Sequence, residues 1–429
     1  MAEVVVGMTQ VGNTLGVDFG TSNSAAGYLS DGQPRLIEMA PGQTTIPTTF
    51  FFDFETRQTL IGEPANRALI EGAEGRFMRA LKRVLGTTLM HEKRQILNER
   101  VTFVDIIARF LKKIKTRAEA ETGMTFDYAV SGRPVVFHGV GDPRERRAEE
   151  DLRACYHAAG FKGVKFIPEP EAAAIASGAL EHSGEIGLIV DIGGGTSDFS
   201  LFRSGPEGVA ILANHGVRIG GTDFDRAISI ARVMPMLGKG TQLRKVMGPG
   251  TSPVPNAIYN DLATWEKIHF LYTAQNQNLV DEMAKLAYEP EKISRLATVL
   301  VHELGHEVAF AVEHSKIAAS TGDQKSSISL NLIEPDLSVA LTTEGIADIL
   351  APQAHMLSVG VQETLRTADV THDQVDRVIY VGGSSLLPMV SETMKAQFPN
   401  AHHSFTEVFT AVADGLIIAS GQDQPQSPS

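Results

Sequence analysis

Two short segments of this chain repeat one pattern, and that pattern limits what the chain can fold into. GVDFGTSNS covers residues 16–24 and DIGGGTSDFS covers residues 191–200. In each, an apolar strand ends at an Asp, a turn rich in glycine and threonine follows, and a second strand begins. Glycines reach positive φ at little cost and let main-chain N–H groups approach an oligophosphate closely. The repeat predicts two phosphate-binding hairpins, and a pair of ordinary glycine-rich β-turns is the simpler alternative.

Each hairpin opens a three-strand unit, and the second unit repeats the first. LGVDFG, NSAAGYLS and QPRLIEM have the composition of strands, with Asp31 and Gly32 marking a hairpin turn. GEIGLIVDIGGG, SDFSLFR and GVAILANHG repeat that plan later in the chain. Recurrence of a whole unit indicates a duplicated architecture. We therefore expect an α/β fold in which two lobes face each other across a nucleotide cleft.

Helical patterns occupy much of the remaining sequence. Thr102 precedes an apolar i, i+3, i+4 pattern that predicts a capped helix, and a charged helix is expected over 144–159. Residues from about 225 to 312 are mostly helical in pattern. The segment GRFMRALKRVLG, which ends at Gly86, is expected to form a helical turn.

Composition excludes several classes of protein. A net charge of −13 without a basic stripe argues against a nucleic-acid partner. No run reaches the ~18 to 20 apolar residues of a membrane span, and the first residues lack the basic region of a secretory signal. The single cysteine, Cys155, excludes a disulfide framework and suits a reducing compartment. We expect a cytoplasmic protein, monomeric or weakly oligomeric, in which Cys155 is a packed helix residue.

Further motifs in a fixed order extend the pattern into a family resemblance. The chain resembles the actin-like ATPases, and within them the nucleotide-binding domain of the 70-kilodalton heat-shock chaperones, from about residue 15 to 420. The two hairpins resemble the family's phosphate loops. ALKRVLG (80–86) resembles the segment that carries the family's phosphate-reaching lysine, and IPEPEAAAIASGA (167–179) resembles the first interdomain connection. RIGGTDFDRAI (218–228) matches a segment of the second lobe. VEHSKIAAS (312–320) and VGGSSLLPMV (381–390) resemble the two adenosine elements. The resemblance implies a duplicated, ribonuclease H-like ATPase fold.

The resemblance also implies ATP or ADP with Mg²⁺ as ligands and assigns roles to residues. Asp18 and Asp191 would orient the water shell of Mg²⁺, Lys82 would reach the γ-phosphate and the attacking water, and Glu169 would help to place that water. Thr196 joins these catalytic groups, because phosphoryl transfer needs positioning and charge neutralisation. The implied nucleotide-binding residues are Gly20, Thr21, Ser22, Asn23, Gly193, Gly194, Gly195, Thr196, Gly220, Gly221, Glu313, Lys316, Ile317, Gly382, Gly383, Ser384 and Leu386.

Several of these residues have a simpler interpretation. Lys82 lies in a basic segment and could be a solvated surface lysine, and Glu169 stands between two prolines and could face solvent. Glu313 and Lys316 could be an ordinary helix-surface ion pair. The two aspartates carry the firmest assignment, because each ends an apolar strand, where an unpaired carboxylate is costly.

The chain departs from the family pattern at the adenine site and at its end. Ile317 and Leu386 stand where the chaperones typically carry two arginines, whose stacking is worth about 0.5 to 2 kcal/mol per contact. Phe409 and Thr410 replace an acidic pair in the second connection. Only the polar segment GQDQPQSPS follows. The chain therefore looks like the truncated, YegD-type chaperone-like proteins that lack the peptide-binding domain.

One motif points to different chemistry. In VHELGHEVAF, His302, Glu303 and His306 have the spacing of a zinc-protease pattern, in which two histidines share one helix face. A zinc protease would leave both phosphate hairpins unexplained. We therefore expect one helix with two partly exposed histidines that continues into the adenosine element.

The sequence predicts lobe I over 15–185, lobe II over 186–401 with a helical subdomain at about 225–312, and a return to lobe I over 402–420. An N-terminal extension (1–14) and a disordered tail (421–429) flank them. The leading functional hypothesis is a chaperone-like ATPase that hydrolyses Mg-ATP slowly and couples nucleotide state to lobe closure and to an unknown protein client or co-chaperone. The alternatives are a nucleotide-gated binding protein with little turnover and a filament-forming actin homologue.

Overall fold

The structure, a computed structural model, describes residues 13–135, 137–138, 142–178, 183–205, 208–246, 248–320, 326–405 and 410–422. Phe409 and most of the two expected terminal segments lie outside these residues. The last helix continues to Gln422, two residues into the segment predicted to be a disordered tail.

The strands of the described residues, in chain order, are β1 (Asn13–Phe19), β2 (Asn23–Ser30), β3 (Gln33–Leu36), β4 (Thr45–Pro47), β5 (Thr49–Asp53), β6 (Thr59–Ile61), β7 (Gly75–Arg79), β8 (Arg94–Ile96), β9 (Glu99–Val101), β10 (Phe126–Arg133), β11 (Gly163–Pro168), β12 (Ile186–Ile192), β13 (Ser197–Gly205), β14 (Gly208–Val217), β15 (Gln242–Arg244), β16 (Thr251–Pro253), β17 (Ser327–Ser329), β18 (Ser338–Ala340), β19 (Arg377–Val381) and β20 (His402–Ser404).

The α-helices are α1 (Glu63–Ile70), α2 (Phe103–Thr122), α3 (Arg144–Ala158), α4 (Glu169–Ala176), α5 (Gly221–Ile228), α6 (Asn256–Leu262), α7 (Ala274–Leu286), α8 (Pro290–Val301), α9 (Gly305–Ser320), α10 (Thr343–Ala368), α11 (Pro388–Gln397) and α12 (Ala411–Gln422). Short 3₁₀-helices cover Leu81–Val84, Thr88–His91, Met234–Leu237, Trp265–Leu271, His372–Gln374 and Gly383–Leu386, and one π-helical turn covers Ser229–Val233. Within the described residues, no helix is both long enough and apolar enough to cross a membrane.

Two sheets with the same strand order form the frame of the molecule. The first has the order β3-β2-β1-β10-β11 and the second has the order β14-β13-β12-β19-β20. In both, the first three strands are antiparallel and the last two run parallel to the central strand. The predicted duplicated α/β fold is confirmed. We call the part of the chain around the first sheet lobe I and the part around the second lobe II; their exact boundaries stay predictions.

Local signals placed several elements correctly. Thr102 caps α2: its hydroxyl accepts from the Asp105 N–H, and the Asp105 carboxylate accepts from the Thr102 N–H at 2.8 Å. Asp31 and Gly32 both have positive φ, 52° and 74°, as the tight turn between β2 and β3 requires. Cys155 is buried in α3, as expected for a packed helix residue.

The segment before Gly86 differs from its prediction. It forms β7, which pairs with β5, and then a single 3₁₀ turn over Leu81–Val84. Ala80, between the two, has a φ of 59°, a conformation that a continuous helix cannot contain. Pairing with a strand that lies far away in sequence overrides the local helical pattern.

The segment with the zinc-protease spacing is also not one helix. His302 is the first residue after α8, Glu303 has a φ of 54°, and α9 starts at Gly305. His302 therefore lies in the turn between two helices and His306 in α9, so the two histidines do not share a helix face. Among the described residues no group of three or more His, Cys, Asp or Glu side chains could hold a metal ion. The expectation of one continuous helix was wrong, and a zinc site loses its geometric basis.

Two helices cross where the lobes join. α4 follows β11 out of lobe I, and α12 packs against both α4 and the first sheet. Their contact is lined by small residues, and a Cβ built on Gly415 would lie 1.8 Å from the carbonyl oxygen of Ala172. The apolar residues of this junction, from both sheets and both helices, are Val130, Ile167, Ala172, Ala173, Ala174, Ile189, Phe202, Ile379, Val381, Ala411, Val412, Leu416 and Ala419.

Replacement of Gly415 tests this crossing. Gly415→Ala puts a methyl group onto main-chain atoms of α4 that cannot move separately, so we expect a loss of about 3 kcal/mol or more in the free energy of unfolding. Gly421→Ala, in the same helix, meets only the tip of the Leu29 side chain, which can rotate, and should cost little. Urea titration of both variants measures the difference. Equal stability of the two would contradict a close contact between the helix backbones.

Candidate functional site

The two predicted phosphate hairpins face each other. The turn after β1 contains Ser22, whose Oγ lies 2.5 Å from the position that a Cβ of Gly194, in the turn after β12, would occupy. Gly20 is required in its own turn, since a Cβ there would lie 2.1 Å from the carbonyl oxygen of Asn23. The structure thus brings together the two loops that the sequence identified; that they bind phosphate, and are not ordinary glycine-rich β-turns, stays a prediction.

The second hairpin is held against the start of α5 by main-chain hydrogen bonds. Gly221 donates its N–H to the carbonyl of Gly193 at 2.9 Å, and Thr222 donates both its N–H and its hydroxyl to the carbonyl of Gly194, at 2.8 and 2.7 Å. A Cβ on Gly220 would lie 2.5 Å from the Gly195 nitrogen. Gly220 and Gly221, predicted as binding residues, therefore support the loop directly.

Acidic side chains gather around one lysine between the two hairpins, in the region that we call the cleft floor. Asp18 and Asp191 lie near the ends of the central strands β1 and β12, and Asp198 is paired with Asp191 across β12 and β13. Glu169, the first residue of α4, forms an ion pair with Lys82. The Lys82 side chain is 9% exposed and that of Glu169 is 18% exposed. The interpretation of either residue as a solvated surface side chain is therefore wrong.

This clustering changes the proton affinity of the carboxyl groups. Burial, followed by the charge of Glu169, raises the pKa of Asp18 to about 7 against the opposing effect of Lys82. Burial also raises the pKa of Asp191 well above its ordinary value, and the charges of Glu169, Asp198 and Asp18 add to that shift. For Asp198, burial and Glu169 raise the pKa to about 6. The three aspartates therefore hold their protons more tightly than isolated aspartates do, because Lys82 alone does not offset burial and the neighbouring carboxylates.

The donor set fits a magnesium ion held at a distance. Asp18 and Asp191 supply carboxylate oxygens from the two lobes, and oxygen is the ligand that Mg²⁺ prefers. Across the described ranges the acidic groups are not arranged to ligate a metal directly. Mg²⁺ retains several of its waters in proteins, so the two carboxylates suit contact through the water shell.

The two predicted adenosine elements lie in lobe II beside the second hairpin. Gly382 has a φ of 78°, and a Cβ there would lie 3.0 Å from the Asp191 carboxylate. A Cβ on Gly221 would lie 2.6 Å from the hydroxyl of Ser384. Gly383 and Leu386 form the short 3₁₀-helix that follows Gly382. The structure thus places VGGSSLLPMV beside Asp191 and the start of α5.

The other predicted adenosine element, on α9, does not present Glu313 and Lys316 as a surface ion pair. Lys316 is buried, and its Nζ lies 2.8 Å from a carboxylate oxygen of Asp225 in α5. Burial raises the pKa of Asp225 to about 6; Lys316 opposes this shift and Glu313 adds to it. The simple Glu313–Lys316 surface pair is wrong, because Lys316 is an interior group that ties α9 to α5.

The predicted base-contacting residues are apolar and accessible. Ile317 is 53% exposed and Leu386 is 37% exposed, although both are large aliphatic side chains. Thr21 is partly exposed, and Asn23 and Thr196 are exposed. Exposed aliphatic groups at the two adenosine elements leave apolar surface for a ligand to cover.

The two lobes also meet through an aromatic cluster. The guanidinium of Arg79, in β7 of lobe I, lies 4.2 Å from the ring centroid of Trp265 in lobe II, and the Phe77 ring lies 6.4 Å from it. Trp265 in turn packs edge-on against His306 and Phe310, at 4.7 and 5.0 Å. This contact joins β7 to the helical part of lobe II.

Sequence reasoning missed three charged groups of the site. Asp198 lies within the quoted hairpin motif, and its charge beside the apolar residues Phe199, Leu201 and Phe202 of the same strand was the available signal. Asp225 lies within RIGGTDFDRAI, but nothing local predicts its pairing with Lys316. Arg83 follows Lys82 directly; a Cβ built on Gly195 would lie 1.4 Å from its Nη2 atom, so its side chain reaches the second hairpin.

A profile of the family described as Hsp70 protein matches residues 14–234 and 279–427. The chain belongs to the Hsp70 family. The resemblance inferred from the motifs is thereby confirmed, and the repeated sheets agree with it.

Two members of the Hsp70 family illustrate the relationship. "Chaperone protein DnaK" of Nitrosopumilus maritimus is 25% identical over 424 residues, covering 96% of this chain and 56% of the relative. "Chaperone protein DnaK" of Methanothermobacter thermautotrophicus is 27% identical over 414 residues, covering 95% of this chain and 59% of the relative. The chain thus spans little more than half the length of these relatives. The roles of the individual site residues stay predictions.

The carboxyl cluster predicts an unusual dependence of stability on pH. Because the pKa of Asp18 is raised from 3.8 to about 7 on folding, the native state binds more protons than the unfolded state between these values. Without nucleotide or Mg²⁺, the free energy of unfolding should therefore fall as the pH rises from 5 to 8. Asp18→Asn should reduce this fall by on the order of 2 kcal/mol.

Chemical denaturation at the two pH values measures the effect. Asp53→Asn is the matched control. Main-chain N–H groups lower the pKa of the Asp53 carboxyl, so it stays ionised in both the folded and the unfolded protein between pH 5 and 8. An unchanged slope in Asp18→Asn would show that Asp18 does not titrate in the buried cluster.

Proposed function

We propose that this member of the Hsp70 family binds Mg-ATP between its lobes and hydrolyses it slowly, coupling nucleotide state to lobe closure and partner binding. One observation carries the proposal: two phosphate-type hairpins, one from each lobe, flank the buried Lys82–Glu169 pair. Glycine-rich turns with converging N–H groups suit an oligophosphate, and the surrounding acids suit a hydrated cation.

The chain's own groups supply positioning and charge balance. Lys82 would stabilise negative charge that develops on the terminal phosphate, and its ion pair with Glu169 fixes its position. Glu169 would orient a water molecule for in-line attack, with Asp198 beside it as a second acceptor. When bound, Mg²⁺ would supply neutralisation of phosphate charge. Such a site needs no covalent intermediate.

Coupling to lobe closure rests on contacts that cross the cleft. Phosphates bound by both hairpins draw the lobes together, because each hairpin belongs to a different sheet. The Arg79–Trp265 contact is worth roughly 0.5 to 2 kcal/mol and favours the same closed arrangement. A nucleotide can shift the balance between open and closed forms only through such differences in contact.

The identity of the partner is a separate part of the proposal. Both relatives are named chaperone proteins, and the chain spans 56% and 59% of their lengths. We infer a protein client or co-chaperone that distinguishes the nucleotide states of this ATPase unit. A cytoplasmic setting is supported by Cys155, a free thiol held in the interior.

A nucleotide-gated binding protein with little turnover is the second candidate. Ile317 and Leu386 favour it, because aliphatic side chains hold the base without cation stacking. A phosphate-release assay under single-turnover and steady-state conditions separates the two. Release that stops after the bound nucleotide is consumed would favour the second candidate.

Loss of Lys82 tests the catalytic assignment. Lys82→Ala should lower kcat by ~10² to 10³, since it removes one group that stabilises the transition-state charge. Asp191→Ala should have an effect of similar size. Lys162→Ala, which removes a 68% exposed lysine paired with Asp127, should leave the rate unchanged. Wild-type turnover in both site variants, measured by phosphate release, would refute the assignment.

Base affinity tests the adenosine elements. Leu386→Arg should strengthen Mg-ATP binding by roughly 3- to 30-fold, because a guanidinium can stack on the base. Leu279→Arg is the control, since Leu279 in α7 has nearly the same exposure, 38%. Calorimetric titration gives both dissociation constants. An unchanged constant in Leu386→Arg would mean that the base is held elsewhere.

A further inference from the structure

Two consecutive cations of lobe I point to different partners. Lys82 and Arg83 belong to the 3₁₀-helix Leu81–Val84, in which neighbouring side chains diverge by about 120°. Lys82 turns inward to the carboxylate of Glu169. Arg83 is exposed and reaches Gly195 of the second hairpin in lobe II. The two adjacent residues therefore contribute positive charge at separate points of the cleft.

The position of the Arg83 side chain is matched to the glycine that it covers. A Cβ on Gly195 would lie 1.4 Å from Nη2 and 2.7 Å from Cζ of Arg83. The guanidinium therefore occupies the space that a side chain at position 195 would need. This places a permanent positive charge directly on the turn whose N–H groups face the phosphates.

The chemistry of a guanidinium indicates what Arg83 could bind. Lys82 is paired with Glu169, and three further carboxylates lie near it. A nucleoside triphosphate brings more negative charge than a diphosphate, and the extra charge is on its terminal phosphate. A guanidinium presents two parallel N–H donors, which match two oxygens of one phosphate group.

We propose that Arg83 is a phosphate-binding residue that grips the terminal phosphate from lobe I while the second hairpin holds it from lobe II. This inference rests on the proposed function. It makes Arg83 a determinant of selectivity for the triphosphate over the diphosphate. Lys82 keeps the catalytic role, and Arg83 ties the terminal phosphate to both lobes.

Calorimetric titration with Mg-ADP and with a non-hydrolysable Mg-ATP analogue tests the inference. In Arg83→Ala, affinity for the triphosphate analogue should fall about tenfold while affinity for ADP changes less than twofold. Arg83→Lys should lie between this variant and the wild type, because lysine keeps the charge but not the two-donor geometry. Arg67→Ala removes an exposed arginine of α1 and should change neither constant.

The ratio of the two affinities separates binding from a structural role. Equal losses for both nucleotides, or no loss for either, would overturn the inference about Arg83 and leave the proposed function intact. Failure of the wild-type chain to bind either nucleotide would overturn both. Thermal unfolding of each variant without ligand shows whether folding is preserved. If Arg83→Ala is misfolded, the ratio of triphosphate to ADP affinity in Arg83→Lys decides the question.

Discussion

The arrangement of the whole molecule depends on the contact between α4 and α12. Only a residue without a side chain fits where Gly415 meets the Ala172 carbonyl, so the two helix backbones are in direct contact at this point. α4 begins at Glu169, and the same helix that makes the crossing therefore delivers an acidic group to the cleft floor. The crossing also packs against residues of both sheets, whose central strands carry Asp18 and Asp191. α4 therefore takes part both in the packing between the lobes and in the acidic cluster.

Much of the fold follows from local rules that the sequence displays openly. Positive φ at Asp31 and Gly32 and the reciprocal cap at Thr102 are short-range features, so they can be predicted without knowledge of the tertiary structure. The repeated three-strand unit gave the duplication for the same reason. The wrong predictions have the opposite cause, because they concern features that depend on the tertiary structure. β7 exists because β5 lies beside it, and the break at Glu303 needs a left-handed residue that no propensity favours.

The candidate site divides in the same way. Strand-end aspartates and glycine-rich turns announce themselves in sequence, and the family resemblance added Lys82 and Glu169. What the sequence did not reveal are pairings between distant elements, such as Lys316 with Asp225. Burial was equally hidden, because an i, i+3 pair of charges on a helix usually faces water. Which lysine is interior, and which carboxyl carries a raised pKa, depends on neighbours that only the assembled fold supplies.

The two lobes of the duplicated fold contribute different groups to the proposed site. Lobe I contributes Lys82 and Arg83, whereas α9 and the segment after β19, with the proposed nucleoside contacts, belong to lobe II. A hinge motion at the helix crossing would therefore move Lys82 and Arg83 away from the proposed phosphate site, while the proposed nucleoside contacts in lobe II stay unchanged. Under the proposed function, lobe II would keep hold of the nucleotide while lobe I withdraws its positive charge. Opening would then stop hydrolysis before the nucleotide leaves, and this order would follow from the unequal distribution of charged residues between the two lobes.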